Sequence, residues 1–293
     1  MFNLESLTEK HIPLLKDYIA SFPRESCDYT VANLLTWGKI YDNQVGVYKE
    51  QLLLLNPKYQ YLLFPMGEDT KVDYLVEIVK HCRKDYPQCE LILVPEDYIL
   101  LNPDIHEAFT LQDDRDWADY VHSVERLIEL KGKKLAKKKN LISQFIRLYP
   151  DYHIVPIDKS KKDVIITFTQ KWKRERDIEG SFLDSEYKAI INTMDMWDDL
   201  PCEGIIVCHE KQIYAYSIFS PLSEDMVAVH YEKFDPDKKG SAQLINWETA
   251  KHLHNRYKWI NREQDLGLPG LRQAKMSYDP DFLVKFITTQ LKI

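Results

Sequence analysis

The chain has 293 residues and a formal net charge of −7, and its 44% hydrophobic and 29% charged residues indicate a globular protein of one large or two smaller domains. The negative charge excludes a surface that coats nucleic acid broadly, so any contact with a polyanion has to be local. Because no apolar run approaches eighteen residues and no basic and apolar leader opens the chain, we expect neither a transmembrane helix nor a signal peptide.

The cysteines and histidines predict neither a disulfide framework nor a metal site. The five cysteines are odd in number and form no Cys-x-x-Cys pair. His252 and His254 are two residues apart, so on a helix they face different directions. We therefore expect reduced thiols, no bound metal and a cytoplasmic location.

The spacing of apolar residues predicts helices and strands that alternate through the first half of the chain. In chain order the predicted elements are helices at Ser6–Ala20 and Tyr29–Trp37, strands at Gln44–Tyr48, Gln51–Leu55 and Gln60–Phe64, a helix at Asp69–Asp85, a strand at Glu90–Val94, a short helix at Pro95–Leu101 and a strand at Trp117–His122.

A similar order of elements returns in the second half, although the residues themselves do not repeat. The predicted elements are a strand at Tyr152–Pro156, helices at Asp163–Trp172 and Asp184–Trp197, strands at Gly204–Cys208, Gln212–Phe219 and Met226–Lys233, a helix at Gly240–His254, a strand at Lys258–Asn261, a short helix at Pro269–Lys275 and a strand or last helical turn at Phe282–Ile287.

The repeated order predicts an α/β (α+β) fold with mixed sheets. A three-strand meander followed by a β-α-β crossover is the order of the GNAT acyltransferase fold. We therefore predict two tandem GNAT-like domains, residues 1–123 and 151–293, joined by a basic connecting helix within residues 124–150. We expect this helix, over Lys133–Tyr149, to lie at the junction of the two domains.

The connecting segment concentrates positive charge in an acidic chain, with six lysines between Glu129 and Asn140. Like charges one helical turn apart cost stability, and an anionic partner would offset that cost. A solvated helix face is the structural alternative, because charge runs commonly form one. The functional interpretation is contact with a phosphate backbone, made by lysine point charges rather than by base-reading arginines. The lysines assigned to this contact are Lys131, Lys133, Lys134, Lys137 and Lys138.

A cofactor site for acetyl-CoA is poorly matched by the sequence. GNAT enzymes that use acetyl-CoA hold its pyrophosphate at the start of the main helix, with the pattern Gln/Arg-x-x-Gly-x-Gly/Ala. The matching stretch keeps Gly240 and Ala242 but has Asp237 where Gln or Arg belongs, and the first half has only the acidic turn Met66–Thr70. The sequence therefore predicts no bound cofactor, with acetyl-CoA as the alternative donor.

Polar residues lie on the predicted strand Met226–Lys233. Strand alternation places His230 and Glu232 on one face and Tyr231 and Lys233 on the other. Either His230 or Glu232 could serve as a general base near neutral pH. The structural alternative is a histidine with satisfied hydrogen bonds and a glutamate in an ion pair.

A second polar run begins where the strand Lys258–Asn261 ends, and it is followed by Gly267 and Pro269. Ligands of open α/β sheets bind beyond the carboxyl ends of strands, although such a run can also be a turn that caps the next helix. We expect the two strand ends to splay apart and to form the acceptor site. Its assigned residues are Glu232, His230 and Asp265 as catalytic groups, and Lys233, Asp235, Asn261, Arg262, Glu263, Arg272 and Lys275 as substrate-binding groups.

Three blocks of the sequence are distinctive together: Lys131–Asn140, His230–Lys233 and Ile260–Lys275. They resemble the phosphatidylglycerol lysyltransferase C-terminal domain family, in its soluble, stand-alone bacterial branch. The resemblance implies a tandem GNAT fold similar to Fem-type peptidoglycan aminoacyltransferases. It also implies transfer of an aminoacyl group from aminoacyl-tRNA to a lipid or peptidoglycan acceptor. In the lipid enzymes the positions matching His230 and Lys233 hold an acidic residue and an arginine, so this chain differs at both.

Three functions therefore stay open. The first is a cytoplasmic acyltransferase that moves an aminoacyl group from tRNA to an amine or hydroxyl of a small-molecule, lipid or peptidoglycan-precursor acceptor. The second is an acetyl-CoA-dependent N-acetyltransferase, against which Asp237 speaks. The third is a non-catalytic RNA- or tRNA-binding protein on a degenerate acyltransferase scaffold.

Overall fold

A computed structural model describes residues 2–175 and 181–292. Within these residues the strands form two seven-stranded sheets, each with one parallel strand pair among antiparallel neighbours. The predicted fold class, α/β (α+β) with two mixed sheets, is therefore confirmed.

The chain up to residue 123 contains the following elements in order: β1 (Glu5–Ser6), α1 (Ile12–Ser21), α2 (Val31–Thr36), α3 (Gly38–Tyr41), β2 (Gln44–Tyr48), β3 (Gln51–Asn56), β4 (Tyr61–Leu63), α4 (Val72–Cys82), β5 (Glu90–Ile92), α5 (Glu96–Leu101), α6 (Ile105–Ala108), β6 (Phe109–Asp113) and β7 (Asp119–Ser123). The first predicted helix begins later than expected because Pro13 occupies its first turn, where a missing N–H costs nothing.

The remainder of the chain contains α7 (Val124–Glu129), α8 (Ala136–Leu148), β8 (His153–Pro156), α9 (Lys162–Arg174), α10 (Ser181–Asp195), β9 (Glu203–His209), β10 (Gln212–Pro221), β11 (Met226–Phe234), α11 (Ser241–Leu253), β12 (Trp259–Asn261), α12 (Pro269–Met276), β13 (Phe282–Val284) and β14 (Ile287–Leu291). The last predicted element, Phe282–Ile287, is therefore two short strands rather than one, and neither is helical.

The two sheets exchange strands. The first has the order β1-β2-β3-β4-β5-β14-β6, and the second has the order β13-β7-β12-β11-β10-β9-β8. Thus β7 joins the second sheet although it precedes residue 124, and β14 joins the first sheet although it lies near the C-terminus. Neither residues 1–123 nor residues 151–293 contain a complete sheet, because order along the chain does not determine which sheet a strand joins.

The connecting segment is broken into two helices rather than one. Leu130 ends α7 in a left-handed conformation, Gly132 has a φ of 90°, and α8 begins only at Ala136. The buried Ile142 and Phe145 of α8 pack against β9, β10 and α11, so the helix lies on the second sheet and not at the junction of the two domains.

A parallel strand pair occupies a similar place in each sheet. In the first sheet α4 connects β4 to β5, and Leu63 lies opposite Ile92. In the second sheet α11 connects β11 to β12, and Ala228 lies opposite Asn261. Each sheet therefore contains one β-α-β unit whose strands end on the same side, the position where ligands of such sheets bind.

Candidate functional site

Two pairs of side chains bridge the gap between β11 and the loop that follows β12; this gap is the Glu232 cleft. Strand β12 ends at Asn261, whereas β11 continues past it alongside β10. Across the resulting gap His230 contacts Glu263, and Glu232 contacts Arg262. The structure thus brings together four of the residues that the sequence assigned to the acceptor site.

Glu232 is held through only one of its two carboxylate oxygens. Its Oε1 accepts a hydrogen bond from Arg262 Nη2 at 2.8 Å, and both side chains are mostly buried. With its amide oriented to face the guanidinium, the Asn246 oxygen of α11 lies 3.0 Å from Arg262 Nη1, while the ring centroid of Tyr278 lies 5.0 Å from the guanidinium carbon. Glu232 Oε2 is buried and has no hydrogen-bond partner among the described residues. Native proteins rarely leave a buried carboxylate oxygen unpaired, so Glu232 is a candidate proton acceptor.

His230 is engaged at both ring nitrogens. Its Nδ1 lies 2.8 Å from Glu263 Oε1, its Nε2 lies 2.7 Å from Ser220 Oγ, and the ring is buried. Glu263 also accepts a hydrogen bond from Asn33 Nδ2 of α2 at 2.9 Å. This arrangement orients Glu263 and ties the cleft to the first half of the chain, but it leaves neither nitrogen of His230 free for a substrate.

Asn261 faces the interior of the protein rather than the cleft. Its Nδ2 donates to Asp119 at 2.7 Å and to the carbonyl oxygen of Glu25 at 2.9 Å, and its Oδ1 accepts from the Glu263 N–H. Asp119 also accepts from the Cys27 N–H at 2.7 Å. Burial raises the pKa of Asp119 to about 7. Asn261 therefore joins the end of β12 to β7 and to the segment before α2, which is a positioning role.

Asp265 is fully buried, and both of its oxygens are satisfied. It accepts two hydrogen bonds from Arg272 at 2.8 Å, one from Arg115 at 3.3 Å, one from the Gly267 N–H at 2.9 Å and one from the Tyr120 hydroxyl. Burial alone would raise the pKa of Asp265, but these bonds, led by Arg272, lower it to about 2. The geometry therefore favours an anchor for the loop after β12 over the catalytic role assigned from the sequence.

Lys275 supports the same loop from α12. Its Nζ donates to the carbonyl oxygens of Arg262, at 2.6 Å, and of Gln264. Burial lowers the pKa of Lys275 to about 8. Its contacts are to the backbone that carries Arg262, so it positions the cleft instead of lining it.

Lys233 and Asp235 lie away from the cleft. Lys233 pairs with Glu186 of α10 at 2.7 Å, and its Nζ lies 4.2 Å from the Trp172 ring centroid. Asp235 accepts the Asp237 N–H at 2.9 Å and so closes the turn before α11. Their substrate-binding role, assigned from the sequence, does not agree with this placement, because strand alternation turns Lys233 to the opposite face of β11 from Glu232.

Lys138 connects the basic segment with the cleft. Its Nζ lies 2.7 Å from Ser277 Oγ and 4.3 Å from the centroid of the Tyr278 ring, against which Arg262 also packs. Burial lowers the pKa of Lys138, and the nearby charge of Arg262 adds to this effect. The other lysines assigned to the donor are exposed, and Lys134 pairs with Asp279 at 2.6 Å. These exposed residues are Lys131, Lys133, Lys134 and Lys137.

The start of α11, where a CoA pyrophosphate would bind, is packed against α8. Gly240 has a φ of 92°, and a Cβ atom there would lie 2.5 Å from the carbonyl oxygen of Leu141. Gly240 and Ser241 are both buried. The glycine therefore permits the close approach of two helices, and the matching Gly-x-Ala pattern does not indicate an open phosphate site.

Other kinds of site find no support in the described part of the chain. Residues 2–175 and 181–292 contain no group of three or more His, Cys, Asp and Glu side chains that could hold a metal ion. No helix in these two ranges is long and apolar enough to cross a membrane.

Sequence reasoning missed Asn33, Ser220 and Tyr278, which support the cleft. Asn33 bonds to Glu263 from 230 positions away along the chain. None of the three belongs to a local motif, so only their tertiary contacts could have identified them.

The chain is similar to several known proteins in sequence and in fold. The sequence matches the family described as phosphatidylglycerol lysyltransferase, C-terminal, over residues 19–289. A conserved protein of unknown function from Bacteroides thetaiotaomicron is 27% identical over the whole of both chains, with a TM-score of 0.93. L-PGS from Bacillus licheniformis is 14% identical over 95% of this chain and 91% of that chain, with a TM-score of 0.64. FemX is 8% identical over 98% of this chain and 96% of that chain, with a TM-score of 0.63.

A curated but uncharacterized protein from Mycoplasmoides gallisepticum is 21% identical over 182 residues, which are 62% of this chain and 56% of that protein. The match thus spans about half of that relative's length. Together the two sheets and these likenesses define a tandem GNAT-like acyltransferase fold, as the order of elements predicted. The chain belongs to the phosphatidylglycerol lysyltransferase C-terminal family. Homology to acyltransferase families supports a transferase in general.

Proposed function

We propose that the protein transfers an aminoacyl group from an aminoacyl-tRNA to an amine or hydroxyl acceptor in the cytoplasm, with Glu232 as the general base. One observation carries the proposal: Glu232 Oε2 is buried in the cleft without a partner among the described residues, while Arg262 holds Oε1. Membership of a lysyltransferase family supports the aminoacyl group as the transferred unit.

The proposed step needs no further co-reactant. The acceptor nitrogen or oxygen attacks the ester carbonyl carbon of the aminoacyl-tRNA, and a new C–N or C–O bond forms as the ester bond to the terminal ribose breaks. Glu232 takes the proton of the attacking group and returns it to the leaving ribose oxygen. Arg262, which is fixed by Asn246 and Tyr278, keeps the carboxylate in one orientation.

The basic segment suits the donor in this reaction. Exposed lysines are point charges that bind phosphates without reading bases. Lys138 extends from this surface to Tyr278, whose ring packs against Arg262. A tRNA held by the lysines would therefore have a short route for its aminoacyl end to the Glu232 cleft.

The acetyl-CoA alternative is weakened by two features of the same turn. Asp237 replaces the expected Gln or Arg, and Gly240 lies directly against the backbone of Leu141. The non-catalytic alternative accounts for the lysines, but it gives no reason for a buried and unpaired carboxylate oxygen in the cleft. The name of the family specifies a lipid acceptor, and lipid, peptidoglycan-precursor and small-molecule acceptors all fit the proposed chemistry.

A binding screen tests the donor. Fluorescence anisotropy would compare aminoacyl-tRNA, deacylated tRNA and acetyl-CoA with the wild-type protein and with two variants, each carrying four Lys→Gln changes. The test variant changes Lys133, Lys134, Lys137 and Lys138. The control variant changes four exposed lysines of the first half, which alters the net charge equally: Lys16, Lys71, Lys80 and Lys84.

We expect aminoacyl-tRNA to bind the wild-type and control proteins and to bind the test variant far more weakly. Binding of acetyl-CoA without binding of tRNA would contradict the proposed donor. Equal weakening of tRNA binding in the test and control variants would show that the net charge of the protein, and not the basic segment, determines this binding.

A further inference from the structure

The parallel pair of the first sheet has a cavity where the second sheet has its bridged cleft. Beyond the ends of β4 and β5 the structure leaves a space of about 210 Å³. Phe64 and Tyr98, which follow these two strands, both line this cavity. The cavity therefore occupies a place in the first sheet comparable to that of the Glu232 cleft in the second, where ligands of such sheets bind.

Two buried hydrogen-bond donors without a partner belong to residues that line this cavity. They are Arg24 Nε and Tyr98 Oη, which have no hydrogen-bond partner among the described residues. Both side chains are held in place. Arg24 Nη2 donates to the carbonyl oxygen of Pro65 at 3.0 Å, and the Arg24 guanidinium carbon lies 5.4 Å from the centroid of the Phe64 ring. The centroid of the Tyr98 ring lies 4.7 Å from that of Phe64. Native proteins rarely leave such groups unpaired, and a guanidinium beside a hydroxyl suits a carboxylate.

The rest of the lining carries negative charge, opposite to that of Arg24, and apolar surface. The carboxylates of Asp69 and Asp97 are exposed at its edge, and Phe64, Tyr98 and Leu101 supply apolar atoms. The volume is below the range of about 300–1,000 Å³ that is typical of sites for drug-sized ligands. The occupant is therefore small, with one anionic end, one cationic end and an apolar body.

We propose that this cavity binds the free zwitterion of an apolar α-amino acid. Arg24 Nε and the Tyr98 hydroxyl receive its carboxylate, Asp69 and Asp97 attract its ammonium group, and its side chain packs against Phe64. The site is separate from the Glu232 cleft. Its occupancy does not depend on the proposed transferase activity, so the two proposals can fail independently.

Isothermal titration of the full chain with L-phenylalanine tests the proposal. Two derivatives serve as matched probes: L-phenylalaninamide lacks the carboxylate, and N-acetyl-L-phenylalanine lacks the ammonium group. We expect saturable one-site binding of L-phenylalanine and at least about tenfold weaker binding of each derivative. Absence of saturable binding, or equal affinity for all three compounds, would overturn the proposal.

Variants of the protein locate the binding. Tyr98→Phe keeps the ring that packs on Phe64 and removes one donor, so the affinity should fall about tenfold. Leu101→Trp should fill the cavity and abolish binding, whereas Leu100→Trp is its control, because Leu100 is 81% and Leu101 80% exposed but only Leu101 lines the cavity. Unchanged binding in Tyr98→Phe and Leu101→Trp would place the amino acid elsewhere and refute this site.

Discussion

Replacing Asp265 by asparagine removes the charge that anchors the loop between β12 and α12. In the native protein this buried carboxylate binds Arg272, Arg115 and the Tyr120 hydroxyl, and its pKa falls from the ordinary 3.8 to about 2. Each pKa unit corresponds to about 1.4 kcal/mol, so ionised Asp265 contributes about 2 kcal/mol to the free energy of unfolding at neutral pH.

The sign of the pH dependence follows from the direction of this shift. Because the folded-state pKa of Asp265 is lowered, its contribution is fully present above the unfolded pKa and is lost as the pH falls toward about 2. The wild-type protein should therefore lose about 2 kcal/mol through this group between about pH 5 and about pH 2. Asp265→Asn should lack this part of the pH dependence and should be less stable at pH 7.

Urea denaturation followed by circular dichroism, at several pH values between neutral and acidic, measures this difference. Asp17→Asn is the matched control, because Asp17 is exposed on α1. The difference in unfolding free energy between wild type and Asp265→Asn should shrink as the pH falls, whereas the control should follow the wild type. Parallel curves for wild type and Asp265→Asn would refute the anchoring role.

Two further predictions concern the basic segment and a buried histidine. A plot of the log of the tRNA association constant against the log of the salt concentration should have a slope of about −3 to −4. The variant lacking the four lysines should have a flatter slope. An unchanged slope would show that these lysines are a solvated surface that does not contact tRNA. Burial, and then the charge of Arg262, lowers the pKa of His122 to about 3, and its Nε2 has no partner in the described residues. Protonation of His122 therefore favours unfolding, and the His122→Phe variant should lose less stability than the wild type between pH 7 and pH 4. A larger loss of stability in His122→Phe than in the wild type, measured by denaturant titration over this pH range, would contradict this prediction.

The order of elements was predictable because most strands and helices carry a local hydrophobic period. Strand β2, for example, has the predicted bounds Gln44–Tyr48. Strand β6, at Phe109–Asp113, was missed because it is short and exposed, with only one buried residue among its five. The exchange of β7 and β14 between the sheets depends on tertiary pairing, which no local pattern reports.

The candidate site was predictable at the level of position but not of role. Polar residues at the ends of two strands indicated the cleft that contains Glu232 and Arg262, since the carboxyl ends of parallel strands meet at one edge of a sheet. Whether a carboxylate is free or anchored depends on distant partners. Arg115 forms an ion pair with Asp265, and the Tyr120 hydroxyl donates a hydrogen bond to it. Both residues precede α7, and no spacing in the sequence connects them with Asp265.

The most direct test of the central claim is transfer of a radiolabelled aminoacyl group from aminoacyl-tRNA to an acceptor fraction extracted from the source cells. We expect the wild-type protein and Glu224→Gln, an exposed control, to transfer label, and Glu232→Gln to be slower by about 100-fold or more. Circular dichroism would confirm that all three proteins are folded. Equal transfer by Glu232→Gln and the wild type would contradict the role of Glu232, and no transfer by the folded wild type from any aminoacyl-tRNA would contradict the proposed activity.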